Sequence, residues 1–494
     1  MKKILVSIIA VILVVVFLFG FIDKVETDST PNSESLVYSL NNFSTDLKKV
    51  TNLTKREQDI ICATSRGLIE IDSNGKILPS LAESVEVRDS GIEYDFKIKE
   101  DIYWSDGSKI TSQDIVEFFR QAILEEESED IAALLDIYGA KQYRESGATF
   151  TKTVAINSDE NNIVIRLNHK NDDFLTELSK PQYRIRDNLL LWDNIDKNYE
   201  NLKYSGNYKI EDVQEDSFSL ARSEQSDKSY VESIKFVKDD GEEIAMAAFE
   251  VGNRDVVINP PRGQLDRLKS EDRLVTMESD RGMYLAFNPN TSIPEVGRRE
   301  VYRNVVKSME EYKNSNSNLL VMAEGSYFRK DKENLDKLQA RKVFMNTEQD
   351  WDEERVIQIV AEENTQNKEM CEWIKKWFSE NSKQTISYKL LKREELNKIS
   401  KEDKYDIILM ENYNNPKGDS QFYVKAESYL PKDLLSQLGE EATKEDFYKM
   451  EDTLFNSCIV LPLVFFNDNI AINNKIKNVS LDGNGNMDFS KVNK

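Results

Sequence analysis

A chain of 494 residues can bury a large core and should divide into two or three domains. Its 66 Lys and Arg stand against 89 Asp and Glu, a net charge of −23, and that excess argues against nucleic acid or an anionic lipid surface as the partner. One histidine and three scattered cysteines exclude a His-rich metal site and leave at least one thiol unpaired, so no metal, cofactor or disulfide framework is expected.

The chain opens with Met1-Lys2-Lys3, and Ile4 to Ile22 then gives 19 residues without a charge. A helix of that length just spans the hydrocarbon layer. It is longer than the apolar region of about 7–15 residues usual in cleaved signals, no small-residue exit site follows, and no cysteine precedes Cys62. Residues 1–23 are therefore expected to be an uncleaved anchor, with Lys2 and Lys3 inside and the body outside the cytoplasm. Secretion after cleavage is the alternative. Residues 24–34 are polar, with Pro and Ser, and suit a tether.

After a first strand (SLVYSLNN), residues 43–59 read as polar and helix-like. From Ser65 to Leu124 the chain alternates as short strands (LIEI, VEV, YDFKI) broken at Asn74-Gly75, Ser90-Gly91 and Asp106-Gly107, turns that favour Gly because a positive φ is needed. A helix follows whose start is well marked: Thr111 and Asp114 form a capping box, and Ile115, Val116, Phe119, Ala122 and Ile123 share one face.

The order GLIEIDSNGKILPSLAESVEV and then WSDGSKITSQDIVEFF resembles the signature of the family 5 extracellular solute-binding proteins, the oligopeptide, dipeptide and nickel receptors of ABC importers. Val85 stands where that pattern usually has Trp, a loss of packing rather than of a ligand contact.

Further along, residues 132–148 look helical, and ATFTKTVAINSDENNIVIRLN reads as a hairpin turning at Asp159–Asn162, with His169 in a loop at its end. Ser205-Gly206-Asn207-Tyr208-Lys209-Ile210 resembles the family's return strand, with Arg222 ending the next one. EEIAMAAFEVGNRDVVINP reads as a helix closed by Gly252 and followed by a strand. RGMYLAFNPN resembles the strand where family members first cross to the second lobe, and a helix follows over EVGRREVYRNVVKSMEEY. Between Lys313 and Asp350 the sequence is polar and shorter than the resemblance implies, as if the second lobe were trimmed. VIQIVAEE, ISYKLLKREEL and YDIILM are further strands, and Met370, Trp373, Ile374, Trp377 and Phe378 make a core stripe on a helix between them. The tail FNSCIVLPLVFFNDNIAIN resembles the strand that returns to the first lobe.

The resemblance implies an α/β, two-lobed periplasmic-binding-protein-like fold of the type II, large peptide-binding class, with an extra subdomain on the first lobe. Residues 35–60, 203–278 and 457–494 would form lobe 1, 61–202 the subdomain and 279–456 lobe 2. It further implies a receptor, expected to be monomeric, that closes on a peptide or similar small solute and delivers it to ABC permease subunits. A degenerate relative serving as a membrane-anchored sensor or scaffold is the alternative.

No phosphate loop, Cys/His cluster or G-x-S-x-G elbow is present, so no enzyme is expected. In peptide receptors of the family an acidic residue in an A-D-Y-N-E-P-like segment meets the ligand's free amino end. Here the matching segment is Glu411-Asn412-Tyr413-Asn414-Asn415-Pro416, with Asn412 at the carboxylate's place. An amide cannot neutralise an ammonium, and a buried unpaired charge is costly. Either Glu411 takes the role, or the ligand has no free amine there, or binding has been lost; as a turn residue Asn412 would be ordinary. Arg66, before the signature, and Arg281 with Tyr284 near the crossover are the other cleft candidates. A guanidinium there can bind a carboxylate bidentately, though either arginine can equally be structural.

Overall fold

The computed structural model describes residues 35–40, 43–316, 318–329, 335–347, 351–396, 398–399, 403–413 and 444–490, with residues 422, 426, 429 and 492 besides. The anchor expected over residues 1–23 and the tether over 24–34 lie outside the described residues. Among those described, no helix is long and apolar enough to cross a membrane.

Eleven strands among the described residues form one sheet. Ten lie in the order Thr385–Leu391, Val356–Glu362, Ile407–Tyr413, Leu274–Phe287, Val460–Ile472, Val256–Ile258, Ser35–Leu40, Ser233–Lys238, Ser217–Arg222 and Tyr208–Gln214, while Leu320–Met322 pairs with Val460–Ile472. The outer strands alternate, as Ser233–Lys238 does by burying Ile234 and Phe236 and exposing Lys235. Val460–Ile472 is buried along almost its whole length.

Two large cores sit on this sheet among the described residues. Tyr38, Phe218, Ile234 and Phe236 belong to the first, and Met283, Leu285, Ile357, Ile374, Phe378 and Leu409 to the second. Among the described residues only strands Leu274–Phe287 and Val460–Ile472 run from one core to the other, so these two strands join the lobes. Strand direction then decides where a site can be. Val256–Ile258 runs parallel to Ser35–Leu40, which is itself parallel to Ser233–Lys238, and antiparallel to Val460–Ile472; these first-lobe strands therefore point at the crossover. Ile407–Tyr413 is antiparallel to Leu274–Phe287 and parallel to Val356–Glu362, so the second lobe's parallel strands point at it from the other side. The carboxyl edges of two α/β lobes thus face each other, the edges at which such sheets take ligands.

The subdomain carries its own four-stranded sheet, in the order Ala82–Arg88, Glu93–Ile98, Asn162–Arg166, Ile156–Ser158. Helix Ser112–Glu125 packs on its core with Ile115, Val116, Phe118, Phe119, Ala122 and Ile123, the burial of each but the alanine worth roughly 1.5–3 kcal/mol. Its capping box forms as read: Thr111 Oγ1 accepts from the Asp114 N–H, and Asp114 Oδ2 accepts from the Thr111 N–H at 2.8 Å. Val85 is half-buried against the same core. Residues 132–148 hold two short helices, Ala132–Leu135 and Ala140–Ser146, rather than one.

The expected domain limits shift where an element runs through them. Helix Lys55–Thr64 spans the limit placed at residue 60, and its Ile60, Ile61 and Ala63 pack in the first-lobe core. Trp192 and Ile195 belong to that core as well, whereas Ile185 and Leu189 stay with the subdomain. Beyond residue 456, Cys458 and Val460 to Val464 still pack in the second lobe before the strand crosses.

Candidate functional site

The join between the lobes is the natural starting point. Leu274–Phe287 and Val460–Ile472 pair regularly up to Glu278 opposite Asn467, then resume at Gly282 opposite Phe465. Three residues on one strand therefore face one on the other, and such a break in a ladder bends the strands at that point. Arg329 fills the gap. Its Nη1 donates to the carbonyls of Phe466 (2.7 Å) and Ser279 (3.3 Å), and its Nη2 to Asn467 Oδ1 (2.6 Å). Backbone acceptors released by the broken ladder are satisfied by this one side chain.

Arg281 leaves the same break on the second-lobe side. Its Nη1 lies 3.4 Å from Glu411 Oε1, its Nη2 donates to Gln366 Oε1 at 3.1 Å, and its guanidinium sits 4.5 Å from the Phe466 ring centre. Both Arg281 and Glu411 keep 18% of their side-chain surface, so the pair is half-sheltered and open to one side. The sheet register explains the meeting: Arg281 lies opposite Tyr413, Gly282 opposite Asn412 and Met283 opposite Glu411. Asn412 and Tyr413 are thus placed by their backbone on the strand beside the hinge, and Asn414 lies outside the described residues.

Two candidates are held elsewhere. Tyr284 is fully buried; its hydroxyl donates to the Tyr327 carbonyl at 2.5 Å, and its ring stacks on Tyr327 and packs tilted against Phe422. It belongs to the second-lobe core, because Met283 to Phe287 are buried on both faces of the strand beyond the hinge. Arg66 is engaged within the subdomain, its Nη2 donating to the Ser80 carbonyl at 3.1 Å and its Nε to Ser80 Oγ at 3.4 Å. A structural arginine is what these bonds describe.

The structure adds residues the sequence reading passed over. Helix Thr365–Asn381 begins directly after strand Val356–Glu362, and Asn364 caps it by accepting from the Asn367 N–H. That start places Gln366 and Glu369 at the second lobe's carboxyl edge. On the first lobe, Pro260-Pro261 follows strand Val256–Ile258 and delivers Arg262 to the facing edge. Arg262 Nη1 lies 2.9 Å from Glu369 Oε2, and its guanidinium is 5.1 Å from the ring centre of Tyr312. Burial pushes the Tyr312 hydroxyl up to about 12, which keeps it protonated. Glu242, which opens helix Glu242–Glu250 on the first lobe, has its carboxyl raised by burial, and the charges of Glu243 and Glu369 add to that. Asn364 and the double proline were the signals that could have exposed these positions.

The arrangement is equipped to bind charged groups. It offers two guanidinium–carboxylate pairs and an amide at the facing edges of two hinged lobes. Among the described residues no three His, Cys, Asp or Glu side chains are grouped to hold a metal ion. His169 is exposed, and Cys371 and Cys458 are buried with their thiols pushed up to about 12 by burial.

Residues 76–308 match the family described as "Bacterial extracellular solute-binding proteins, family 5 Middle". Over those residues, just under half of the chain, the sequence fits a divergent family 5 solute-binding protein. The match takes in the subdomain, much of the first lobe and the outgoing hinge strand, and ends inside helix Glu295–Asn314. The chain is similar in fold to the murein tripeptide binding protein MppA of Escherichia coli, at 15% identity and a TM-score of 0.68 over 94% of this chain and 98% of that one. It is also similar to OppA of Listeria monocytogenes bound to peptide, at 16% identity and a TM-score of 0.67 over 94% and 99%. The dipeptide-binding protein of Lactococcus lactis is 24% identical over 170 residues, 34% of this chain and 31% of that protein, so the alignment spans less than a third of that relative.

Proposed function

We propose that this solute-binding protein is the extracytoplasmic receptor of an ABC importer, capturing a peptide or similar small solute between its lobes and handing it to a permease without covalent chemistry. The observation that carries this reading is the crossover. Two carboxyl edges face each other and are joined by two strands whose pairing breaks at the join, which is the construction of a hinge that closes on a ligand. A cleft of this kind buries most of a small molecule between two walls. The relatives named for a tripeptide, a dipeptide and a bound peptide support the ligand class. In this reading residues 4–22, uncharged throughout, hold a monomeric body at the outer face of the cell membrane.

Within the cleft, Arg281 takes a ligand carboxylate and Glu411 a ligand amine, each giving up part of its bond to the other. A thermal-shift screen of the body with short peptides tests the proposal. A ligand at a hundred times its dissociation constant adds about 2.7 kcal/mol, enough to raise the melting temperature visibly. No rise with any peptide length would overturn it. That outcome would favour the second reading, a membrane-anchored sensor or scaffold without transport. Asn412 at the place where the resemblance puts a carboxylate, and the engagement of Glu411 by Arg281, support that alternative.

A further inference from the structure

Of the two ion pairs at the facing edges, Arg281–Glu411 is internal to the second lobe and its hinge strand, whereas Arg262–Glu369 joins the lobes. Arg262 opens the short turn Arg262–Gln264, which leads into helix Leu265–Ser270. Leu268 of that helix packs with Met246, Phe249 and Val257 in the first lobe. Glu369 lies on helix Thr365–Asn381 and Tyr312 on helix Glu295–Asn314, both of the second lobe. All three polar groups meet: Nη1 of Arg262 is 2.9 Å from Glu369 Oε2 and 3.4 Å from the Tyr312 hydroxyl, and that hydroxyl is 3.4 Å from the same carboxylate oxygen.

We propose that Arg262, Glu369 and Tyr312 form a latch between the lobes that holds them together before any solute is bound and so sets how far the cleft opens. The inference concerns regulation of the site proposed above and rests on the reading that the lobes close on a solute. Its chemistry is that of a half-exposed ion pair backed by an aromatic face. Arg262 and Glu369 keep 39% and 37% of their side-chain surface, so water and salt reach them. A pair of this kind shifts a two-state equilibrium by about two- to fivefold, which suits a catch that a ligand must be able to overrule. The cation faces the Tyr312 ring on one side. Across the lobes, Glu242 at the start of the first-lobe helix feels the charge of Glu369. Removing Arg262 therefore does more than cut a bond, because like charges are left opposed across the lobes. Removing Glu369 cuts the bond and leaves no such repulsion.

Small-angle scattering of the ligand-free protein tests this directly, at about 50 mM and about 500 mM salt, between which an exposed pair passes from partly to strongly screened. In the natural protein the radius of gyration should grow with salt as the open fraction rises about two- to fivefold. Glu369→Gln should be open already at low salt and lose most of the salt response, and Arg262→Gln should open further than Glu369→Gln. The exchanged pair Arg262→Glu with Glu369→Arg should return toward the natural value. Asp352→Asn, which cuts the Lys383–Asp352 pair inside the second lobe (2.9 Å), should leave the radius unchanged. Melting curves run alongside identify a variant that has merely unfolded. A radius unchanged in both Arg262→Gln and Glu369→Gln, or changed equally by Asp352→Asn, would overturn the latch. Because no ligand enters the experiment, a blank peptide screen with a working latch would remove only the transport reading.

Discussion

Asp106 illustrates how much chemistry one turn residue can hold. Its Oδ1 accepts from Ser108 Oγ at 2.5 Å and from the Ser108 N–H at 2.9 Å, and Lys203 Nζ lies 3.0 Å from Oδ2. The Ser108 hydroxyl, its backbone N–H and Lys203 hold the carboxyl down to about 2. A folded value below the unfolded one means that the group supports the fold above about pH 4 and loses that support as pH falls toward 2. Exposure keeps the contribution small. Ser108→Ala should move the Asp106 titration, followed by NMR, up toward the ordinary carboxylate range, with a shallower loss of stability between pH 4 and 2. At this scale the sequence was informative about Asp106, whose Asp-Gly turn is local chemistry. It was uninformative about Tyr284, whose burial depends on the second lobe packing on both faces of its strand. Arg66 was ambiguous for a similar reason, because Ser80 reaches it only in the folded subdomain.

Among the elements, the Ser205-Gly206 turn shows why a motif keeps its glycine. The Gly206 N–H donates to the Thr64 carbonyl at 3.0 Å, so the turn lies against the end of helix Lys55–Thr64. A Cβ on Gly206 would come within 2.3 Å of the Thr64 carbonyl carbon and 2.4 Å of the Ala63 oxygen. Both neighbours are backbone, so neither can rotate away. Gly206→Ala should therefore reach the upper end of the roughly 1–3 kcal/mol typical of overpacking, read as a lowered denaturant midpoint. The helix itself is started by Thr54 and Glu57 in a second capping box. That signal lies in residues read only as helix-like, and missing it placed a domain limit in the middle of the element.

For the whole molecule, the decisive construction is the pair of strands that belongs to both lobes. Arg329 satisfies two carbonyls and an amide oxygen where their ladder breaks, and charged hydrogen bonds are worth roughly 1.5–3 kcal/mol each. Arg329→Ala should cost about 2–3 kcal/mol after solvent replaces part of that. Amide hydrogen exchange should quicken at residues 278–282 and 465–467, while the strands of each lobe keep their protection. Unchanged exchange at the break would mean that the crossover is held by the strands alone.

Turns, caps, strand alternation and the amphipathic stripe of helix Thr365–Asn381 were legible because each depends on residues within a few positions of one another. The resemblance of residues 35 to 490 to a solute-binding family, firm to about residue 290 and from 355 on, was legible for the same reason, its signature being a run of such local devices. Which strands cross between lobes, and that their carboxyl edges point at each other, was decided only by pairing between segments about 200 residues apart, as at Leu274 with Ala471. The meeting of Arg262 with Glu369 and of Arg281 with Glu411 follows from that pairing. Charge at long sequence separation leaves no periodic trace, so only the folded chain brings those partners together.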